Sequence, residues 1–429
     1  MLAGIVAIII FLGTLYFVFS EKLNRTIASI GGAVAMVAVG LLLGFYNEEQ
    51  ALASVDMETI GLLLGMMILV SLLEPTGFFQ YLAVQAARFS KGRPVRLLIL
   101  LGTVTTVLSM FLDNVTTIVL IAPITILISE ILGISAAPLL IAEAILSNTG
   151  GTATLIGDPP NVLIASASGL TFTDFLTHAL PIVLVAWLVA LLLLRFLFRH
   201  ELAETPTDPN VIKSLNPKAA LEDWKTARKV LVVLGVVILC FFLEKILHLS
   251  PAYIAVSGAA VALIWIRPDI RKVFEHIEWS VLVFFAALFV LVGGLEAAGV
   301  LHAITTAILD ISETNLLLLG VGLLWLVAGL SAVVDNVPIT IAFIPVILEL
   351  GTNGINITPL WWALAFGAGL GGNGTIIGST ANVVVASLSE RTRVPITSPL
   401  WNRRGLPVML VTLAVTTILY IVAYPYYIK

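Results

Sequence analysis

The stretch "SMFLDNVTTIVLIAPI" runs from Ser109 to Ile124 and is apolar except around Asp113 and Asn114 near its centre. A second copy, "SAVVDNVPITIAFIPV", runs from Ser331 to Val346, at an offset of 222 residues. An acid and an amide inside a greasy segment, present twice, decide how the chain is read. Leu73-Glu74-x-x-Gly77 returns as Leu295-Glu296-x-x-Gly299 at the same offset. Further on, "GGTATLIGDPPNVLIAS" (Gly150–Ser166) returns as "GGNGTIIGSTANVVVAS" (Gly371–Ser387). Collinear matches at nearly constant spacing indicate an internal duplication.

The composition says where such a chain lives. It is 59% hydrophobic and 11% charged over 429 residues, with a mean hydropathy of +1.08; soluble domains carry roughly 25% charged residues. Apolar runs such as Ile182–Phe198 and Val230–Leu243 recur from end to end. With their flanks they read as transmembrane helices of ~20 residues each. Leu2–Ser20 lacks a basic n-region and a small-x-small cleavage site, so it reads as a retained helix rather than a signal peptide. The lone Cys240 excludes an internal disulfide and a thiolate metal cage. The five histidines show no metal-ligand spacing, and no metal or cofactor is expected. Enzyme readings find little support. There is no HExxH motif, and Leu155-Ile156-Gly157-Asp158 lacks the first glycine of the Gly-x-Gly-Asp turn of intramembrane aspartyl proteases. The expected surroundings are the lipid bilayer, with no nucleic acid.

Basic residues cluster at Lys22/Arg25, Arg88–Arg96, Arg195–Lys229, Arg267–Lys272 and Arg391–Arg404. Placing every cluster in the cytoplasm follows the positive-inside rule. The alternation then works only if two segment pairs, 97–130 and 314–350, each enter and leave on one side. Those pairs become re-entrant hairpins, and only Lys245 and Lys429 fall outside. Each half then crosses an odd number of times, which inverts the second half relative to the first, as in many secondary transporters. The expected fold is an all-α polytopic membrane protein. It has two inverted-topology repeats, about ten transmembrane helices, two re-entrant hairpins and two broken helices. The first repeat covers 1–199, a cytoplasmic linker 200–228 and the second repeat 229–429, in the inner (plasma) membrane.

Intramembrane carboxylates cost about 2.5–3.5 kcal/mol and are functional by default. Asp113 and Asp335, at the hairpin turns, therefore read as ion or proton ligands. The plainer reading is an N-cap for each returning helix, with Pro338 in its first turn. In the segment 136–168, Gly150-Gly151 and Pro159-Pro160 cannot sit in one uninterrupted helix. It should break at mid-membrane and leave free N–H and C=O groups for a solute or ion. The candidate site joins Asp113, Asn114 and Thr117 to Asn148, Thr149, Gly151, Thr152, Asp158 and Asn161. From the second half come Asp335, Asn336 and Thr340 with Asn373, Thr375 and Asn382. Oxygen-rich ligands of this kind suit hard cations or polyhydroxy solutes. Asp158 is matched by Ser379, and Glu143 by Leu364. Asp113, Asp335, Asp158 and Glu143 are the proton-coupling candidates. Glu74 and Glu296, at span ends, read as interfacial anchors.

"FLDNVTTIVLIAPI", "GGTATLIGDPPN" and "VVDNVPIT" resemble the ArsB/NhaD branch of the ion transporter superfamily, over nearly the whole chain. That branch includes arsenite efflux permeases, sodium/proton antiporters and the melanosomal P protein. The resemblance implies a secondary active transporter with no enzymatic activity, most like the arsenite/antimonite efflux permeases. Proton-coupled efflux by alternating access is the expected function, with a sodium/proton antiporter as the alternative. Related dicarboxylate symporters carry Ser-Asn-Thr at their hairpin tips and bind sodium there. The Asp-Asn tips of this chain weaken an anion or dicarboxylate reading, since two fixed acids repel a dianion. Arsenite or antimonite and protons are the implied solutes. A soluble ATPase subunit and a homodimer are the implied protein partners.

Overall fold

The computed structural model describes residues 2–19, 23–204, 212, 216–300 and 315–428. Leu42, Ile246 and Ile264 are 84%, 73% and 71% exposed, whereas Asn161, Asn373 and Asn382 are at most 1% exposed. This is the reverse of a soluble domain and suits a chain whose solvent is lipid. Every regular element among the described residues is helical. Among the described residues, six helices are long and apolar enough to cross a membrane: Arg25–Leu43, Met57–Thr76, Asn114–Leu132, Phe172–Leu197, Trp279–Ala297 and Ser398–Tyr427. Shorter apolar helices such as Pro251–Ile266 and Leu316–Ser331 lie among them. The molecule is a multi-pass, all-α membrane protein.

Both Asp-Asn motifs sit at helix-to-helix turns. Pro94–Ser109 turns at Asp113 into Asn114–Leu132, and Leu316–Ser331 turns at Asp335 into Asn336–Thr352. Each acid starts the returning helix. An Asp113 oxygen accepts from Thr116 N at 2.9 Å, and an Asp335 oxygen accepts from Val337 N at 3.2 Å. The capping reading therefore holds at both turns. It leaves each carboxylate able to do more, because a cap uses one of its two oxygens.

The two expected breaks are also present. Ala137–Gly151 stops and Pro159–Ser168 resumes; Thr358–Gly371 stops and Thr380–Ser389 resumes. One asparagine closes each gap. Asn161 Nδ2 donates to Gly151 O at 3.1 Å and Thr154 O at 2.8 Å. Asn382 Nδ2 donates to Gly372 O at 2.8 Å and Thr375 O at 2.9 Å. Buried carbonyls freed by a break must find donors, and the same side chain supplies them in both halves. Each break is also pressed against its own hairpin. A Cβ on Gly157 would lie 2.6 Å from Ser109 O, and one on Gly378 2.9 Å from Ser331 O. Only glycine permits that approach. Packing is matched but not copied: Leu146 fills the space beside Gly102, whereas Gly367 lies against the backbone of Leu324. Large and small residues trade places between the halves, as dense packing requires.

Some boundaries differ from the expected ones. The first helix of the second half begins at Trp224 rather than 229, because Asp223 caps Lys225 N and Thr226 N. The last helix runs from Ser398 to Tyr427. An additional helix, Phe78–Ser90, occupies what read as a loop. Its buried Phe79, Ala83, Ala86, Ala87 and Ser90 follow helical spacing, but Arg88 and Gln80 keep it from reading as a span. The part of the linker after Asn216 is docked rather than loose, since Glu222 N donates to Thr76 O at 2.9 Å. Glu201 pairs with Arg404 at 2.6 Å.

Candidate functional site

A cavity of about 270 Å³ opens where the two hairpin turns meet the resumed half of the first broken helix. Asp158 lies at the centre of this meeting. It caps no backbone group of its own helix but accepts from Asn336 Nδ2 at 2.9 Å. Asn114 lies close enough to the same carboxylate to favour its charged form. One acid thus faces the asparagines of both Asp-Asn motifs, and it is only 3% exposed. Asp113 and Asp335 are near enough to act on it electrostatically.

The two hairpin acids are not equivalent. Asp113 accepts from the hydroxyl of Thr116. Asp335 accepts from the hydroxyl of Thr380 at 2.7 Å and has the Arg25 guanidinium 3.8 Å away. That guanidinium also donates to Thr380 Oγ1 at 2.7 Å and lies over the Phe284 ring. Toward the mouth, Glu74, His276 and Glu278 also line the cavity. Five carboxylates, Glu74, Asp113, Asp158, Glu278 and Asp335, therefore face one guanidinium. Coulomb attraction in such a recess favours a cation.

Of the expected residues, Asp113, Asn114, Asp158, Asp335 and Asn336 line the cavity. The others do not. Asn148 is used up between the halves: its Nδ2 donates to Asn373 Oδ1 and Asn382 Oδ1, each at 3.0 Å, and its Oδ1 accepts from Ser379 at 3.0 Å. Asn373 in turn donates to Thr149 Oγ1 at 3.3 Å. Thr152 donates to Asn148 O at 3.0 Å, Thr340 to Asn336 O at 2.8 Å and Thr375 to Ala332 O at 2.5 Å. Gly151 gives room to the Asn114 amide, and Asn161 and Asn382 close the breaks. Thr117 Oγ1 is buried without a partner. Asn148, Thr149, Asn373 and Asn382 thus weld the two broken helices together. Glu143 is 1% exposed, accepts from Thr125 at 2.5 Å and lies off the cavity.

Sequence reasoning missed Arg25, Thr116, Thr380 and Glu278. Arg25 read only as part of a topogenic basic cluster, and Thr380 fell inside the second repeat segment without being singled out. The signal for Arg25 was its place at the start of a predicted span, where only the fold shows what it reaches.

The chain matches the family model described as citrate transporter (CitMHS) over residues 14–367. It is 38% identical to the "46 kDa membrane protein" of Mycobacterium leprae, covering 97% of each chain. It is equally similar, at 38% and 97%, to an uncharacterized transporter of Mycobacterium tuberculosis. The P protein of Homo sapiens is 36% identical over 96% of this chain and 58% of its own length. Among solved structures, the Alcanivorax borkumensis YdaH transporter superposes with a TM-score of 0.58 at 14% identity, covering 99% of this chain and 98% of that one; its architecture is described as an unusual topology. The matches describe transporters, not enzymes, and by the span and strength of these likenesses the chain belongs to the citrate transporter (CitMHS) family of membrane transporters.

Proposed function

We propose that this chain is a secondary carrier of the inner membrane that exchanges a small cation, sodium in the first instance, against protons. The observation that carries the reading is the cavity itself, with five carboxylates around one guanidinium. At an effective dielectric of about 20, each fixed charge 4 Å from a like charge costs about 4 kcal/mol. That weighs against a bare di- or tricarboxylate in this cavity, although the family takes its name from citrate. Asp158 is the proposed exchange group. A proton on its carboxylate and a cation beside it would compete for the same negative charge, which is what obligatory exchange needs. The two halves act in this reading as inverted repeats, 1–199 and 229–429, about a cytoplasmic linker at 200–228. The Asp-Asn hairpins reach the midplane from opposite sides, as the likeness to the ArsB/NhaD branch implies.

Arsenite or antimonite efflux is the second reading. Asn114, Asn336, Ser379 and Thr380 line the cavity and are able to hydrogen-bond an uncharged triol. The amides of Asn148 and Asn373, expected to hold it, are engaged between the halves. Proteoliposomes holding a pH dye separate the two. A sodium pulse should alkalinise or acidify the lumen according to its direction, and Asp158→Asn should abolish that response. Asparagine keeps an oxygen for Asn336, so the variant should remain folded. A pH response evoked by arsenite or antimonite and not by sodium would reverse the assignment.

A further inference from the structure

A second recess approaches the cavity from the other end of the same helix. Met57–Leu73 begins in a groove of about 440 Å³, with Glu58 and Thr59 in its lining. It ends in the central cavity, with Ser71 and then Glu74 in the lining there. At 1.5 Å per residue, Glu58 and Glu74 stand about 24 Å apart along the axis. Leu62 and Val162 are the residues that line both spaces, and each is at most 3% exposed. Beside them, Leu155 faces the groove and its neighbour Ile156 faces the cavity. An apolar septum one or two side chains thick therefore separates two acidic recesses.

The groove carries its own chemistry. Glu244 lines it and is 6% exposed. One of its oxygens accepts from Phe172 N at 3.0 Å, while Oε2 is buried with no hydrogen-bond partner. An unpaired buried carboxylate oxygen is expensive unless something visits it. Lys245, next in sequence, also lines the groove but donates no hydrogen bond to Glu244. Its ammonium lies 3.2 and 3.3 Å from the two oxygens of Asp174. Glu58 and His248 complete the titratable lining.

We propose that this groove is a second small-cation site, at the mouth opposite the central cavity, with Glu58 and Glu244 as its ligands and Leu62 and Val162 as the closed gate between the two. The identity of the ion rests on the cation-exchange reading above; the two-recess layout does not. A cation leaving or reaching the central carboxylates would pause here before bulk water. The Glu244 oxygen without a partner is where it would be held.

The lone Cys240 makes the layout testable, because Cys240→Ser leaves a thiol-free background. Ser166→Cys lies in the groove and Thr116→Cys in the cavity. In oriented membrane vesicles, a membrane-impermeant maleimide should modify these two from opposite faces. Modification of both from one face, or of Ser166→Cys from neither, overturns the layout. Leu62→Ala with Val162→Ala should raise downhill sodium leak into proteoliposomes at least tenfold; an unchanged leak rejects the gate. Glu58→Gln with Glu244→Gln should raise the sodium KM about tenfold from the groove side alone. An equal shift from both sides, or none, rejects the ion site. If the labelling holds while sodium evokes no flux in the wild type, the exchange reading has failed and the vestibule stands.

Discussion

Replacing Arg25 by Gln should strengthen cation binding, an unusual outcome for removal of a site residue. Arg25 lies 3.8 Å from Asp335, and the two side chains are 33% and 20% exposed. In an unscreened recess with an effective dielectric of about 20, that attraction is about 4 kcal/mol. Partial exposure lets water and salt screen it, and exposed pairs are worth about 1 kcal/mol or less. An intermediate figure of about 1.4 kcal/mol corresponds to a tenfold change in binding. Arg25 therefore acts as a tethered competitor for the cation. Arg25→Gln should lower the sodium KM about tenfold in the proteoliposome pH assay. Asp335→Asn leaves the guanidinium unpaired at the cavity wall and should raise it by a similar factor. The double variant restores the charge balance and should return to within about threefold of wild type, the sum of two equal and opposite shifts. If Arg25→Gln leaves the KM unchanged or raises it, the guanidinium is a substrate ligand or a fold anchor, and the charge argument fails.

Asn161→Ala orphans two buried carbonyls, at about 1–3 kcal/mol each. Asn382→Ala orphans two as well and also takes the Oδ1 acceptor from Asn148. Thermal unfolding in detergent, followed by tryptophan fluorescence, should show both midpoints lowered and that of Asn382→Ala lowered further; equal midpoints would mean that the Asn148 contact contributes nothing. Gly157→Ala would set a Cβ 2.6 Å from Ser109 O and 2.7 Å from Gly151 O, and Gly378→Ala one 2.7 Å from Gly372 O. Backbone cannot step aside cheaply, so about 1–3 kcal/mol of strain is expected, with loss of monodisperse protein by size exclusion. Gly13→Ala, with nothing within 4 Å of its new Cβ, should behave as wild type.

Much of this was legible because lipid makes sequence blunt. Ser109–Ile124 had to be a turn between two helices, since its apolar arms flank an acid and an amide that cap a returning helix better than they sit inside one. Gly150-Gly151 and Pro159-Pro160 had to break a helix, for the steric reasons that bar both residue types from helix interiors. The composition of the breaks did not disclose which polar residue faces what. Asn148, Asn161 and Asp158 look alike as intramembrane polar groups. Their division into weld, staple and cavity wall depends on helix rotation about the break, and nothing local specifies that rotation. Phe78–Ser90 was missed because its polar face removes it from any hydropathy window. At the offset of 222 its counterpart positions are 300–312, which apart from Val300 lie outside the described residues.

The duplication gives the molecule two equal frames, and the site departs from that equality at chosen points. The asparagine staples, the serine contacts from hairpin to broken helix and the glycine approaches are all copied: Ser109 donates to Ser147 O and Ser331 to Ala368 O, both at 2.8 Å. The charges are not. Asp158 stands where the other half has Ser379, whose hydroxyl donates to Asn148 instead of adding a charge. Asp335 has a guanidinium and Asp113 does not. A backbone frame must be precise in both halves, because any freed carbonyl in the membrane is costly. An exchange site has the opposite need. If each Asp-Asn turn carried its own acid in the broken helix and its own arginine, a cation would meet two equivalent wells with no reason to displace a proton from either. One unmatched carboxylate facing both turns makes a single shared well. On the reading argued above, duplication built the walls, and the later loss of symmetry at Asp158 and Arg25 made a site that a proton and a cation cannot occupy together.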